Sequence, residues 1–380
     1  MNRSADIVII GGGIIGSSLA YYLAQRGVRD VVVLERDYIS SGSTGRCGAG
    51  VRQQWGMEMN CRLSKGSVDI FEELSDELDM DIEFRQGGYL VLIENENQIE
   101  QMTKNITLQN SLGIPSKMIS NEEAREIVPY LRPDSYIKAT FCQTDGHANP
   151  FLTNFAYARA AKRMGATFLR GTEAKEIVFD GDRIVGVKTA DEVIHTNAVV
   201  NAAGGYSHEV AQMAGIDLPT YSERHQILVT EPLASLFDAM VISFVSGIYL
   251  QQVPHGSFVL GIGEKEDPSY NTRSTWEFLE TVSRELVSIL PIMEKVRIVR
   301  QWAGLYNKTP DCQPIVGEYE GLPGFYNAVG FSGHGFMLAP MTSTILAQII
   351  CGEEPSIDIS ALSATRFARG ELVLEPSVVG

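Results

Sequence analysis

The chain has 380 residues, of which 44% are hydrophobic, 21% charged and 8% aromatic, a composition that excludes intrinsically disordered, collagen-like and coiled-coil proteins. Its 31 basic and 47 acidic residues give a formal net charge of −16, so we expect neither a nucleic-acid partner nor binding to an anionic membrane. The length predicts about two domains, the sequence predicts no membrane span, and five scattered cysteines favour reduced thiols and a cytoplasmic location.

The first 35 residues have the pattern of one βαβ unit. The runs 6–10 and 31–34 are short and continuously apolar, as is typical of strands buried on both faces. Residues 14–26 between them have helical spacing and end at Gly27. A secretory signal is the alternative interpretation of the apolar stretch, and it is disfavoured because it leaves the glycine spacing unexplained.

The glycines between the first strand and the helix predict a dinucleotide site. Gly11 allows the tight turn, Gly13 lets the backbone approach a pyrophosphate, and Gly16 lets helix and strand pack closely. Glu35 ends the second strand, where a carboxylate accepts both ribose hydroxyls and repels a 2′-phosphate, which argues against NADP. NAD and FAD share this pattern, so the unit alone leaves the choice between them open.

The rest of the chain predicts parallel-type strands at both ends and antiparallel strands between them. We therefore expect an α/β nucleotide-binding domain that is interrupted by an α+β domain with an antiparallel sheet. The predicted helices are 59–78, 97–112, 149–165, 275–290 and 339–350, and the predicted strands are 89–93, 167–179, 183–188, 198–203, 226–230, 248–253, 258–262, 297–302 and 325–329.

Two further glycine-rich segments indicate a second ring system besides adenine. The loop 41–50 is rich in hydroxyls and holds Arg46, which suits contact with a pyrophosphate, although a surface linker has similar composition. The segment 330–337 follows a strand and opens a helix, whose N–H groups suit the electron-rich edge of a reduced flavin. A purely structural helix start is the alternative for this second segment.

These motifs occur in the order found in a known family. GGGIIG (11–16) with Glu35, GSTGRCGAGVRQQW (42–55), VVNAAGGYS (199–207), WAGLYNKTPD (302–311) and GFSGHGFM (330–337) together resemble the D-amino-acid-oxidase-type flavoenzymes of the sarcosine oxidase and glycine oxidase group. The resemblance is strongest to the FAD-bearing β subunits of dye-linked L-proline dehydrogenases. It implies a Rossmann-like FAD-binding domain of that type (1–83, 140–222 and 312–380) with an inserted antiparallel-sheet substrate or cap domain (84–139 and 223–311).

The resemblance also implies the cofactor and its contacts. Monomeric sarcosine oxidases attach FAD to a Cys where this chain has Gly304, so we expect non-covalent FAD. They have lysines where this chain has Met337 and Gly261, and loss of the cation that assists oxygen favours a dehydrogenase over an oxidase. The expected cofactor contacts are Gly11, Gly13, Ile14, Ile15, Gly16, Glu35, Arg36, Ser43, Thr44, Arg46, Cys47, Ala49, Gly50, Val51, Ala174, Ala203, Gly204, Gly304, Gly330, Gly333, His334, Gly335, Phe336 and Met337.

Five residues are the candidates for the substrate site. Arg52 matches the Arg that holds the substrate carboxylate in the sarcosine oxidase loop, and a guanidinium binds a carboxylate bidentately. His225 is a candidate base or substrate contact, and His334 is expected to orient the flavin. Tyr249 and Tyr306 are expected to supply hydroxyl donors and cavity wall, with plain core packing as their alternative.

The predicted reaction is oxidation of a C–N bond by hydride transfer from a small amino or imino acid to flavin N5. L-Proline or a similar secondary amino acid is the first expectation, in a protein that is one subunit of a heteromeric complex. A self-sufficient oxidase for sarcosine, glycine or D-amino acids, a catalytically silent electron-transfer subunit, and an NAD-dependent dehydrogenase are the alternatives. The sequence predicts no metal site.

Overall fold

The computed structural model describes residues 3–377, and its first large sheet has six strands. These are β2 (Ile7–Ile10), β3 (Val31–Glu35), β9 (Thr167–Arg170), β13 (Val199–Asn201), β19 (Ile315–Glu318) and β20 (Phe325–Val329). Their spatial order is β19-β20-β13-β2-β3-β9, and neighbours pair in parallel except for β19 with β20. A parallel sheet is covered on both faces, which explains the uninterrupted Ile and Val runs in its central strands.

Each face of this sheet has its own apolar core, because successive side chains of a strand point to opposite faces. Ile7 and Ile9 pack with four helices on one face, whereas Val8 and Ile10 belong to the core on the other face. The helices are α1 (Ile14–Gln25), α2 (Glu58–Glu77), α5 (Pro150–Arg163) and α8 (Gly335–Ile350). The other face is covered by α6 (Ser207–Met213) and a small sheet of β1 (Arg3–Ser4), β12 (Val193–His195), β11 (Arg183–Lys188) and β10 (Glu176–Asp180).

The second large sheet has eight strands and an apolar core of its own. The strands are, in spatial order, β18 (Ile298–Lys308), β14 (Tyr221–Thr230), β17 (Phe258–Ile262), β16 (Ile248–Gln252), β15 (Met240–Ser243), β5 (Tyr89–Ile93), β7 (Lys138–Cys142) and β6 (Ser116–Ser120). Neighbours are antiparallel except for β15 with β5. The remaining helices are α3 (Glu96–Ser111), α4 (Asn121–Ile127), α7 (Trp276–Ile289) and α9 (Arg366–Arg369), of which α7 packs Phe278, Val282 and Leu286 into this core.

The sheet topology places the glycine motifs at one edge of the molecule. Gly11, Ala202 and Gly330 directly follow β2, β13 and β20, and the carboxyl ends of neighbouring parallel strands lie at the same edge of the sheet. A two-stranded antiparallel ribbon joins β4 (Gly50–Val51), which comes after the first βαβ unit, to β8 (Gly146–His147), which comes after β7. The helices of the described chain (3–377) include none long and apolar enough to cross a membrane.

Several sequence predictions of secondary structure are confirmed, whereas others differ from the structure. The strands 89–93, 258–262 and 325–329 are found as predicted. The predicted strand 167–179 is two strands in different sheets, because the chain turns at Gly171, whose φ is +65°. The last long helix begins at Gly335 instead of 339, and β6 and β7 were not predicted. The proposed domain boundaries stay a proposal, although the eight-stranded sheet draws its strands from 89–142 and 221–308.

Candidate active site

The turn between β2 and α1 has the close contacts that its glycine spacing predicts. Gly11 has a φ of +121°, and a Cβ there would lie 2.3 Å from the Ala202 carbonyl oxygen. A Cβ at Gly16 would lie 2.0 Å from the Gly11 carbonyl oxygen, which confirms that helix and strand need a glycine to pack this closely. Helix α1 begins after Gly13, and the Ile14 N–H donates to Thr44 Oγ1 at 3.0 Å.

Glu35 is fixed at the end of β3 beside this turn. Its Oε2 accepts the Gly12 N–H at 2.9 Å, and its Oε1 accepts the Asp37 N–H at 2.8 Å and the Ser41 hydroxyl at 3.2 Å. The side chain lines the same cavity as Gly11 and Gly13. A carboxylate held this way next to a helix N-terminus suits the ribose of a dinucleotide whose pyrophosphate meets that helix.

A second helix start lies in the same cavity. Gly330 and Gly333 have φ values of +75° and +91°, and a Cβ at Gly333 would lie 2.5 Å from the Tyr306 ring. Helix α8 starts at Gly335, and Gly335 and Phe336 line the cavity together with Gly11, Gly13 and Ile14. The segments 11–16 and 330–336 therefore share one cleft, as the sequence predicted.

The cavity brings together most of the predicted contacts. Those that line it are Gly11, Gly13, Ile14, Ile15, Glu35, Arg36, Ser43, Thr44, Arg46, Cys47, Ala174, Ala203, Gly204, Gly304, Gly330, Gly333, Gly335 and Phe336, with His225, Tyr249 and Tyr306 of the substrate candidates. Gly16, Ala49, Gly50, Val51, Arg52, His334 and Met337 lie outside the lining.

Sequence reasoning missed several residues of the lining. Tyr206, Glu209 and Met213 belong to the segment after β13, and Thr272 comes from the loop before α7. Tyr206 had a usable signal, because it follows two glycines at the carboxyl end of a buried strand. Thr272 had none, since only the tertiary fold brings its loop to the cavity.

Three aromatic side chains form a stacked cluster on the eight-stranded sheet. The rings of His225 and Tyr306 are 4.1 Å apart and inclined by 10°. His225 Nε2 is hydrogen-bonded to the Tyr249 hydroxyl at 2.9 Å, although β17 lies between their strands. Gly261 in β17 makes this possible, because a Cβ there would lie 2.4 Å from the Tyr249 hydroxyl oxygen.

Burial keeps this cluster uncharged. It lowers the pKa of His225 to about 4, with a smaller effect from the nearby Lys308 ammonium. It raises the pKa of Tyr249 and of Tyr306 well above the ordinary tyrosine value. At neutral pH the cluster therefore offers a neutral imidazole and two protonated phenols to a ligand.

Arg46 lies against Gly304 of β18. A Cβ at Gly304 would lie 3.1 Å from Arg46 Cβ, so the glycine leaves room for the arginine. Arg46 Nη1 donates to the Ala303 carbonyl at 2.9 Å, and its Nε donates to the Ser41 carbonyl at 3.1 Å. The neighbouring Cys47 is a poor nucleophile, because burial raises the pKa of its thiol to about 12.

Arg52 and His334 lie together behind the cavity lining. Arg52 is 2% exposed, and its Nη1 and Nη2 donate to the Gln54 and Ser377 carbonyls at 2.6 and 2.8 Å. Its guanidinium lies 4.0 Å from the ring centroid of Trp55, which packs edge-on against His334 at 4.7 Å. Burial, with a smaller effect from Arg52, lowers the pKa of His334 to about 3. The carboxylate-binding role of Arg52 stays a prediction.

The groups along the cavity fit FAD. A helix N-terminus and Glu35 lie at one end, and a second helix start with the neutral aromatic cluster lies at the other. Glu209 Oε2 is buried and has no hydrogen-bond partner among residues 3–377, which suits a polar ligand in the cavity that Glu209 lines. The described residues include no group of three or more His, Cys, Asp or Glu that would hold a metal ion.

Comparisons with known proteins agree with an FAD-binding fold. A family model described as "FAD dependent oxidoreductase" matches residues 6–349. The crystal structure of L-proline dehydrogenase from P. horikoshii is similar with a TM-score of 0.95 and 41% identity, covering 98% of this chain and 100% of that one. The sarcosine oxidase subunit beta of an Arthrobacter species is 28% identical over 98% of this chain and 93% of its own length. Glycine oxidase from Geobacillus kaustophilus, at 23% identity and a TM-score of 0.89 over 96% of this chain and 99% of that one, shares the fold.

Proposed function

The chain belongs to the FAD dependent oxidoreductase family, whose model matches residues 6–349, and on this premise we propose that it is a dehydrogenase for L-proline or a similar secondary amino acid. It is an FAD-binding enzyme that acts on amino acid C–N donors, with the fold of the D-amino-acid-oxidase-type flavoproteins. The observation that carries the choice of L-proline is the 41% identity to the L-proline dehydrogenase from P. horikoshii over 98% of this chain.

The N-terminal ends of α1 and α8, together with the loop 41–50, hold the cofactor in this proposal. The N-terminus of α1 would bind the pyrophosphate, Glu35 would bind the ribose, and the N-terminus of α8 would stabilise negative charge on the flavin. When bound, FAD supplies the acceptor for the hydride that leaves the carbon next to the amine nitrogen. Because Gly304 and Arg46 occupy the region of the covalent attachment in related enzymes, the binding is non-covalent and acid denaturation releases the flavin.

The aromatic cluster selects the protonation state of the substrate amine. An ammonium has no lone pair to assist hydride departure, and removing its proton at pH 7 costs about 4 to 5 kcal/mol for an amine with a pKa near that of lysine. Passing that proton to an imidazole with a pKa of about 4 costs more, about 8 to 9 kcal/mol. His225 therefore acts as a hydrogen-bond partner that orients the neutral amine, and the proton is lost to solvent before the amine binds.

Arg52 is proposed to neutralise the substrate carboxylate. It is a buried cation beside the segment 53–55, and two of its N–H groups are already bound to main-chain carbonyls. These bonds and the Trp55 ring fix the plane of the guanidinium, so its remaining N–H groups have a defined direction. Binding a carboxylate to a pre-oriented guanidinium costs less side-chain entropy of the protein than binding it to a mobile lysine.

Electrons are proposed to leave through a partner subunit instead of reaching oxygen directly. Gly261 stands where related oxidases have a lysine that assists reaction with oxygen, and the Tyr249 hydroxyl fills the space above it. The relative from Arthrobacter is a subunit beta, which supports a heteromeric assembly for this chain as well.

An anaerobic flavin-reduction screen tests the proposal. The purified FAD-loaded protein is mixed without oxygen with L-proline, D-proline, sarcosine, glycine and an opine, and the visible flavin absorbance is followed. We expect L-proline to bleach the flavin fastest and D-proline to leave it oxidised. A protein that no amino acid reduces would be a silent electron-transfer subunit, and faster reduction by glycine or a D-amino acid would contradict the substrate choice.

An oxidase that passes electrons to oxygen is the second candidate, and the similarity to sarcosine oxidase subunit beta favours it. Its distinguishing property is reoxidation of the reduced flavin by oxygen. We expect air to reoxidise the flavin slowly and an artificial dye to do so quickly. Rapid oxygen uptake with formation of hydrogen peroxide would establish the oxidase instead.

A further inference from the structure

The loop that follows β17 of the eight-stranded sheet reaches the dinucleotide-binding cavity. Residues 263–274, here called the strap, connect β17 to the helix α7. The strap has no helix or strand of its own, and yet Thr272 lines the cavity, as Glu35 and Arg36 do. β17 belongs to the eight-stranded sheet and α7 packs on that sheet, whereas Glu35 ends β3 of the six-stranded sheet.

Arg224 of β14 holds the strap down. Its Nε and Nη2 both donate to Glu266 Oε1, at 2.8 and 2.6 Å, and its Nη1 donates to the Arg273 carbonyl at 3.1 Å. The two charged side chains are only 14% and 19% exposed. The Ser269 N–H also donates to the Ser222 carbonyl at 2.7 Å. The strap is therefore anchored to β14 near both of its ends.

The middle of the strap lies on a wall residue of the cavity. The ring of Tyr270 is parallel to that of Tyr206, with an inclination of 8° and a centroid distance of 5.1 Å. The Arg36 guanidinium carbon lies 4.1 Å from the centroid of the same Tyr206 ring. Tyr206 thus contacts a strap residue and the residue that follows Glu35, and both Tyr206 and Arg36 line the cavity.

This arrangement has a direct consequence for a bound dinucleotide. Tyr206 and Arg36 form part of the cavity wall next to the carboxylate of Glu35. Tyr270 of the strap packs against Tyr206 in that wall. Tyr270 remains 46% exposed, so its stacking on Tyr206 orders a surface loop and covers little apolar core. A loop that is anchored at both ends and contacts the cavity wall through Thr272 and the Tyr270 ring is suited to opening as a unit.

We propose that the strap is a cofactor latch, in which Tyr270 stacked on Tyr206 closes the ribose end of the cavity and slows the dissociation of FAD. FAD leaves this end only after the Tyr270–Tyr206 stack separates. The latch is independent of the substrate, so it stands or falls separately from the proposed activity. It also ties cofactor retention to the sheet that carries His225 and Tyr249.

The rate of FAD release tests the latch. Holoprotein is diluted into buffer without flavin, and the rise in fluorescence of released FAD is followed over time. Because an aromatic pair contributes modestly beyond its buried area, we expect Tyr270→Ala to release FAD about three- to tenfold faster than the parent. Tyr270→Phe retains the ring and is expected to release FAD within about twofold of the parent rate.

Matched variants decide between the latch and a general loss of structure. Tyr130 is 39% exposed and lies away from the cavity lining, and so Tyr130→Ala is expected to keep the parent rate. Glu266→Gln weakens the anchor at Arg224, and it is expected to speed release even if Tyr270→Ala fails to fold. Circular dichroism with saturating FAD checks that each variant is folded.

Three results would overturn the proposal. The first is a folded Tyr270→Ala protein that releases FAD at the parent rate. The second is equal acceleration in Tyr270→Phe, which would assign the effect to the hydroxyl instead of the stack. The third, if Tyr270→Ala does not fold, is a Glu266→Gln protein with the parent release rate.

Discussion

Gly261 lies in β17 between Ile227 of β14 and Tyr249 of β16. Because it lacks a side chain, the phenol of Tyr249 extends across β17 and reaches His225. Gly304 has the same relation to Arg46 two strands farther along the sheet, on β18. At both positions a polar side chain from elsewhere fills the space that the glycine leaves. The two glycines are therefore coupled to the arrangement of the site.

Replacing Gly261 tests that coupling. The new Cβ of Gly261→Ala would meet the Tyr249 hydroxyl at 2.4 Å, so Tyr249 has to move away from His225. We expect the anaerobic rate of flavin reduction to fall about five- to tenfold, in line with the loss of one buried hydrogen bond. Stopped-flow absorbance measures this rate. Tyr249→Phe is the matched partner, and the double variant should be no slower than the slower single variant. Reduction of Gly261→Ala at the parent rate would contradict the coupling.

Among the secondary elements, the short helix α9 illustrates how the C-terminal part of the chain is fixed. Arg366 at its start is 1% exposed, and its Nε and Nη2 donate to the two oxygens of the buried Asp311 at 2.8 and 2.9 Å. Asp311 also accepts the Val373 N–H at 3.1 Å, and Arg366 donates to the Gln313 carbonyl at 2.8 Å. The Arg366–Asp311 pair joins α9 to the loop before β19. It thereby supports β19 and β20, the strands that precede α8.

Removing one partner of this pair should be costly. Arg366→Ala leaves Asp311 as an uncompensated buried charge, and so we expect the free energy of unfolding to fall by about 3 to 5 kcal/mol. Urea unfolding followed by circular dichroism measures the loss. Arg369→Ala in the same helix removes only exposed ion pairs and is expected to cost less than about 1 kcal/mol. Equal stability of the two variants would show that the buried pair has no special role.

The elements show where sequence patterns succeed and where they fail. The turn 11–16 was predictable because each glycine has a local steric cause that acts within one βαβ unit. The start of α8 was predicted four residues late, since Gly335 and Pro340 both lower intrinsic helix propensity and only the fold compensates for this. β6 and β7 were missed because their pairing is not visible in a local sequence pattern. β7 pairs with β6 and with β5, and β5 lies about 50 residues earlier in the chain. Thr272 reaches the cavity through tertiary structure alone.

For the whole molecule, burial of neutral histidines makes stability depend on pH. Burial lowers the pKa of His147 and His225 to about 4 and that of His334 to about 3. The unfolded chain binds their protons near pH 6.5, so their stabilising contribution is complete above that pH and is lost as pH falls toward 4. Asp145 opposes the trend, because burial raises its pKa to about 6.

A single substitution isolates one of these contributions. His147 lies outside the lining of the cofactor cavity and is 3% exposed, and its shift corresponds to about 3 kcal/mol between pH 7 and pH 4. We expect His147→Gln to lose less unfolding free energy than the parent when the pH is lowered over this range. Urea unfolding at several pH values measures the two slopes, and His255→Gln, at an exposed position, serves as the control. An unchanged slope in His147→Gln would contradict this explanation.

The central proposal is that L-proline binds as the neutral amine and that His225, which burial keeps neutral, does not take up the amine proton. The most direct test is the pH dependence of anaerobic flavin reduction by low concentrations of L-proline, followed in a stopped-flow instrument between pH 6 and pH 10. The second-order rate constant is predicted to rise about tenfold per pH unit over this range, because the pKa of the amine, near that of lysine, lies above it. A rate that is independent of pH, or one that levels off near the pKa of a protein base, would contradict the account.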